Sequence, residues 1–441
     1  MRKFLTIILS ALFVLSFAAS SFAVHAEIPA ETQAVIAKGS TQITLGGHLR
    51  FRGWYRKDHG NAEALPFDST SSSWYDSRFR LSFHLQVTPN VEGFATYNVG
   101  NVKWGSFNSS GGQEASLFEH WVRITGSGLL GVPAGLKVGH MPLALGHKLF
   151  FDHTDDGDDA LLLTIDPTKN MHITLINIKF AGDGGRAAGF AGGNDPFDQT
   201  DDMDGYVAVL NYDHENGTAG VNYTYLNEPD FNLHFSNLGA HAHGTIAGFG
   251  YKVAGNLQFG DIGTTAGGKD MDAKGWAVEA KLSYNLNPVT LRASFGYGTG
   301  DDDPNDSDFE EFFTTLSSTV YYTFVYDYQI RTASCCTQSH GANGGLANTT
   351  YYGLGVDYNP SKNLKTYANA FLLNASDTPS GVSDDLGWEI DAGFVYTVAR
   401  NLKYYFDIGY FDADDWYQDT DPAGREPEEV IAIRQQLILS F

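Results

Sequence analysis

Cysteine is nearly absent: the 441-residue chain has two, and they are neighbours, Cys335 and Cys336. That pair excludes a disulfide framework and a CxxC metal site. Adjacent cysteines strain any mutual bridge, which leaves them free, strained-oxidised or joined to another chain. Positive charge is also scarce, with 28 Lys and Arg against 52 Asp and Glu, a formal charge of −24. So acidic a chain repels phosphate backbones, which excludes nucleic-acid binding through a basic surface. Long apolar runs are missing everywhere except the extreme N-terminus. What the chain does have is 42% hydrophobic residues, among them 23 Tyr and 30 Phe, too much apolar material for a disordered polymer.

The one long apolar run follows Met1-Arg2-Lys3 and extends from Phe4 to about Ala19, ahead of the small-residue zone ending Val24-His25-Ala26. A basic start, a short apolar middle and an A-x-A-like end predict a secretory signal peptide over 1–26, cut after Ala26, with Ala23 as the alternative. A single membrane anchor is the competing reading, and the run is short for a span. Cleavage removes Arg2 and Lys3 and no acid, taking the charge from −24 to −26. A short periplasmic segment is expected over 27–42.

From Ile43 onward the dominant period is two. Arg78-Phe79-Arg80-Leu81-Ser82-Phe83-His84-Leu85 alternates polar with apolar, as do 290–297 and 387–396. Strict alternation means strands whose two faces meet different solvents. Such segments fall at 43–57, 74–88, 91–104, 115–125, 136–147, 158–166, 171–181, 205–213 and 218–227. They continue at 243–253, 255–264, 273–285, 289–298, 349–358, 364–374, 385–397, 401–412 and 430–441, eighteen in all. Tight Asn-, Asp-, Pro- and Gly-bearing turns such as Pro89-Asn90 and Leu286-Asn287-Pro288 alternate with long polar loops at 58–73, 181–204, 228–242, 299–348 and 413–429. Short turns on one side and long loops on the other predict an all-β fold, a transmembrane antiparallel barrel of about 18 strands over 43–441 in the bacterial outer membrane. A soluble all-β secreted protein is the alternative, but it would lack this loop asymmetry.

In such a barrel the polar phase of each strand lines the bore. That phase places His48, Arg50, Arg52, Arg78, Arg80, His84, Arg123 and Arg434 on one arc, with Arg292 as a further basic lining residue. Glu279 with Lys281, Asp357, Glu389, Asp391 and Asp407 fall on another. Arcs of opposite sign would set a field across the bore and sort polar solutes without chemistry. The alternative is that these charges pair between neighbouring strands and stiffen the wall. An Arg in mid-bilayer costs about 2–4 kcal/mol, which makes Arg50, Arg52, Arg78 and Arg80 the safest assignments to the bore.

The excess acid lies in loops: 152–159, 194–204, 301–308 and 412–421. Clusters of this kind offer oxygens to Ca²⁺ or Mg²⁺ bridging to lipopolysaccharide. Asp301-x-Asp303-x-Asn305 mimics the opening of a calcium loop, yet Asp306 stands where Gly is needed and Phe312 occupies position twelve. A solvated acidic rim is the default, and no cofactor is required. Loop 299–348 is too long for a simple connection and carries the aromatic run 320–328. It is expected either to fold into the bore as a constriction or to form an extra hairpin above the membrane.

No GxSxG is present, the fourteen His are scattered, and His241-x-His243 lacks an evident third metal ligand. No phosphate-cradling Gly-rich loop appears either, and no enzyme is expected. Ile431, Ile433, Leu437, Leu439 and Phe441 share one face of the last segment, which resembles the aromatic-ended final strand of Gram-negative outer-membrane barrels. That likeness implies recognition of Phe441 by the barrel-assembly machinery, with lipid and lipopolysaccharide as neighbours. Leu136 to Phe150 resembles a strand of the alginate-export-type outer-membrane channels, with His140 where that family usually has Arg. Gly300-Asp301-Asp302-Asp303-Pro304-Asn305-Asp306, followed by Phe309 and Leu316, resembles the same family's Gly-Asp-rich loop. The resemblance implies an eighteen-stranded monomeric barrel drawing a polyanion through a strongly basic bore, whereas this wall reads as mixed. A porin-like channel for small polar or charged solutes is the first expectation and a polysaccharide exporter the second. A barrel enzyme or a structural barrel is a distant third.

Overall fold

The computed structural model describes residues 41–57, 71–105, 115–127, 131–155, 157–181, 203–228, 232–264, 270–301, 303, 306–314, 316, 321–331 and 345–441. The expected leader, Asn305 and the Cys335-Cys336 pair lie outside them. The wall begins with β1 (Gln42–Lys57), β2 (Ser71–Thr88), β3 (Val91–Lys103), β4 (Ala115–Gly126) and β5 (Ala134–Met141). It continues through β6 (Asp158–Thr168), β7 (Met171–Ala181), β8 (Met203–His214), β9 (Gly217–Glu228), β10 (Leu233–Ile246) and β11 (Phe249–Thr264). After the short β12 (Asp270–Ala273) come β13 (Trp276–Asn285) and β14 (Val289–Gly298), and after the short β15 (Asp308–Phe309) comes β16 (Thr349–Ser361). Strands β17 (Leu364–Asn374), β18 (Asp385–Ala399), β19 (Leu402–Ala413) and β20 (Val430–Ser440) complete it.

β12 and β15 pair in parallel with each other while β11 pairs onward with β13 and β14 with β16, so eighteen of the twenty strands form the wall. Each pairs antiparallel with its neighbours, and β1 pairs with β20, so the sheet closes on itself. At the seam the Gly47 N–H donates to the Phe441 carbonyl at 2.9 Å, and the Phe441 N–H returns to Gly47 at 3.0 Å. Closure is what lipid demands, because an open edge would leave a row of N–H and C=O groups unpaired in hydrocarbon.

The alternation sorts the two faces. Leu117, Leu161, Leu238, Leu282, Leu291, Leu372 and Ile390 all lie exposed on the outer face, and Leu354 keeps 70% of its surface open. Leaving one such side chain in water forfeits about 1.5–3 kcal/mol. A belt of them around the wall would outweigh the 5–15 kcal/mol net stability typical of a domain, so the outer face belongs in lipid. Paired aromatics mark the ends of that belt: Tyr75 with Trp104, Trp276 with Tyr297 and Trp388 with Tyr410 toward the long loops, Phe249 with Tyr284 toward the turns. No helix among the described residues is long and apolar enough to cross a membrane; strands do the crossing.

Two boundaries differ most from the sequence expectation, and the expected strand 273–285 is split, β12 ending at Ala273 and β13 starting at Trp276. Residues 228–242 are not a long loop: β10 occupies Leu233–Ile246 and turns through Ala247-Gly248 into β11, replacing the expected strands 243–253 and 255–264. Ala247 and Gly248 have φ of 51° and 84°, the turn that suits a two-residue hairpin, but Ala is not its usual signal. β5 ends at Met141, not at 147. Pro142 supplies no N–H to the ladder, and Leu143 and Leu145 bury themselves inside the barrel.

Candidate solute channel and its constriction

Two segments from the long-loop end fold into the bore. The first, residues 142–155, lies against the inner faces of β6 to β10. Its Phe150 meets Phe235 of β10 with ring centroids 5.7 Å apart, and Met141, Phe151, Ile176 and Ile178 close the apolar seat. Asp152 is fully buried and bonded to Lys148 at 3.1 Å, and Asp158 is held by His153 at 2.7 Å. These acids therefore leave the solvated rim expected for 152–159. The second segment, a strap at 321–331 with a π-helical turn over Tyr326–Arg331, belongs to the loop 299–348. Of the two outcomes foreseen for that loop the strap takes the inward one; β15 pairs with β12 in parallel, which is not the extra hairpin.

Glu389 on β18 seats the strap. Its carboxylate accepts the backbone N–H groups of Phe324, Val325 and Tyr326 at 2.8, 2.6 and 2.7 Å. Tyr322 stacks on Tyr351 of β16 at 4.4 Å, and Phe324 lies parallel to Trp54 of β1 at 6.2 Å. The first segment also meets residues upstream of the strap: the Asp152 N–H donates to the Leu316 carbonyl at 2.6 Å, and Phe235 of the wall packs against Phe313 as well as Phe150.

The acidic arc is largely neutralised or covered. Glu389 and Asp391 do not face open bore; they are buried beneath the strap. Asp407 receives Arg434 at 2.8 Å and the Tyr367 hydroxyl. Glu279 takes Lys281 at 2.7 Å and the Tyr351 hydroxyl at 2.9 Å. Asp357 takes Arg292 at 2.9 Å and Lys365 at 3.1 Å. Neighbour pairing accounts for these carboxylates better than a field between facing walls.

The basic arc is different. Phe51 points to lipid, so His48, Arg50, Arg52 and Trp54 point inward, and the register sets Arg50 opposite Arg78 and His48 opposite Arg80. Like charges directly opposite destabilise a sheet, so this arrangement costs the fold something. Arg52 bonds to buried Asp76 at 2.8 Å. Arg80 bonds to Asn98 at 3.1 Å, lies over Phe118, and meets Asp155 of the first infolded segment at 3.8 Å. Arg78 makes no ion pair among the described residues. Arg123 sits nearer the turn end with Glu92 at 3.2 Å, a half-exposed pair of small energetic weight. Toward the loop end, Arg56 covers both Trp54 and Trp74, and Arg434 lies over Trp54, Phe324 and Tyr328.

His241 and His243 gain a third ring, His147, with centroids 5.2 and 5.5 Å away. Among the described residues, however, no group of His, Cys, Asp or Glu is arranged to hold a metal ion. Asp301 and Asp303 are described but Asn305 is not, so the calcium-like triplet is not seen whole.

A closed eighteen-stranded wall, an apolar exterior and a bore narrowed by infolded segments describe a channel. The family model for the Gram-negative porins matches residues 11–378. The chain belongs to that family. As a porin it is an integral outer-membrane channel for small solutes. Solved porins share its fold: Pseudomonas aeruginosa OccK11 (OpdR) at 14% identity and TM-score 0.54, with 90% of this chain and 96% of that one covered. P. aeruginosa OccK2 (OpdF), in complex with glucuronate, matches at 13% identity and TM-score 0.56, covering 90% and 98%. A BenF-like porin of Pseudomonas fluorescens Pf-5 matches at 12% and 0.56 with the same coverage. No curated protein sequence matches the chain.

Sequence reasoning missed the inward turn at Pro142, the strap's carboxylate seat, and the partners Asp76 and Asp155. Pro142 after a run of alternation was the one local signal; the others depend on register and tertiary contact.

Proposed function

We propose that this porin favours small anionic solutes, guided along the wall built by His48, Arg50, Arg78 and Arg80. The observation that carries the reading is the direct opposition of Arg50 and Arg78 on the inward face, with Arg78 lacking any ion pair among the described residues. A sheet that tolerates such repulsion presents its positive charge to what passes. The glucuronate bound by OccK2 is a carboxylate of the size such a wall would steer. Two infolded segments favour compact solutes over a polymer, which sets a polyanion exporter behind a porin. The same reading keeps 1–26 as a cleaved leader and Phe441 as the aromatic read by assembly machinery. It leaves Ca²⁺ or Mg²⁺ between the outer acidic loops and lipopolysaccharide as a contact to be sought.

The test is the reversal potential of the purified porin in a planar bilayer under a KCl gradient. Arg78→Glu with Arg80→Glu should move selectivity toward cations. An unchanged reversal potential in a correctly folded variant removes the wall from the permeation path.

A further inference from the structure

On the far side of the bore a recess of about 570 Å³ opens beneath the strap, lined by His243, Lys252, Lys281, Arg292, Tyr322 and Asn369 among others. Its chemistry follows from register. His243 of β10 stands opposite Lys252 of β11, and Lys252 stands opposite Lys281 of β13. Three nitrogen-bearing side chains thus lie abreast on three adjacent strands, with Arg292 on the next.

The carboxylates nearby do not balance them. Glu279 serves Lys281, and Asp357 is shared between Arg292 and Lys365. Four cations (Lys252, Lys281, Arg292, Lys365) therefore meet two acids, an excess of two positive charges. Lys252 has no hydrogen bond or ion pair among the described residues. Among the lining residues, Arg292 Nε is a buried donor without a hydrogen-bond partner. A buried donor left unmatched costs about 1–3 kcal/mol, so a recess this rich in donors and poor in acceptors is shaped for a guest that brings oxygens. Positive surroundings disfavour a metal cation here.

We propose that this recess is a second anion-binding station, separate from the arginine wall, taking a compact multivalent oxyanion: phosphate, sulfate or a small polycarboxylate. Lys252 supplies the uncommitted charge. Lys281 and Arg292 flank the guest, and the Asn369 amide orients it. The volume is many times that of one water, about 30 Å³ in the liquid, so the guest enters with part of its hydration shell.

The proposal does not depend on the arginine wall guiding solutes, and the experiment separates the two. Phosphate, sulfate and citrate are titrated one at a time against the porin's chloride conductance in a bilayer, and binding is measured in detergent by calorimetry. At least one should block reversibly and bind, with the order of potency naming the preferred guest. Lys252→Met should weaken that affinity by about tenfold or more, a loss of one charge-assisted contact, and Lys252→Arg should restore it. Arg78→Gln should shift the reversal potential while leaving the block within about twofold, the spread expected of a distant, independent site. Absence of block and binding by all three anions overturns the station. So does a block that survives Lys252→Met, or one abolished by Arg78→Gln alone.

Discussion

Glu389→Ala tests what holds the strap in the bore. The substitution leaves the N–H groups of Phe324, Val325 and Tyr326 without their acceptor. A hydrogen bond contributes about 0.5–1.5 kcal/mol net, and an orphaned buried donor costs about 1–3 kcal/mol. Three of them place the loss at roughly 3–9 kcal/mol, at the lower end once water fills the vacated space. The remaining anchors are smaller. The Tyr322–Tyr351 and Trp54–Phe324 ring pairs contribute about 0.5–1.5 kcal/mol each beyond their buried area, and Tyr326 adds one hydroxyl contact to Thr349. Even the lower figure is a hundredfold shift in the seated population, since about 1.4 kcal/mol is tenfold. The strap should therefore leave its seat for much of the time. Single-channel recordings in concentrated KCl should show larger and noisier openings, while the variant keeps the wild-type sheet circular dichroism. Glu389→Gln keeps one acceptor oxygen and should fall between. Unaltered conductance and noise in a folded Glu389→Ala barrel would refute the carboxylate seat.

Leu354→Arg places a charge on the lipid side near the middle of β16, at a cost of about 2–4 kcal/mol, so insertion into vesicles should drop sharply. Normal insertion would mean that this face is not in hydrocarbon. In the outer loop after β19, Asp421 is held down to about 2 by the Arg425 side chain and backbone N–H. A depressed carboxyl stabilises its loop above the ordinary Asp range and loses that contribution as pH falls from about 4 through about 2. Pepsin cleavage within 414–429 should rise over that window, and Asp421→Asn should erase the step; a flat wild-type profile contradicts it.

The staves were legible because a wall between oil and water imposes period two, and Arg78-Phe79-Arg80-Leu81 carries that period without interruption. β10 was harder to read. Ser236, Ala240 and Ala242 are small or polar where lipid-facing residues are usually large, and Ala247 turns the hairpin without Asn, Asp or Pro. Residues 142–147 deceived in the opposite direction, since alternation persists there after the ladder has ended and the leucines turn inward. The roles of the charges were least legible. Arg50 stands opposite Arg78, while Arg80 meets Asn98 of β3 and Asp155 of the first infolded segment, and Glu389 reads as a lining acid until a segment more than sixty residues away covers it. Such facts reside in register and long-range contact, which one strand's pattern does not encode.

The junction between Asp152 and Leu316, with Phe235 held between Phe150 and Phe313, has a mechanical result. A solute that displaces residues 142–155 must break that junction and part Phe150 from Phe235, so the first obstruction is held by the wall and by Leu316 at once and has fewer independent settings than a free flap would allow.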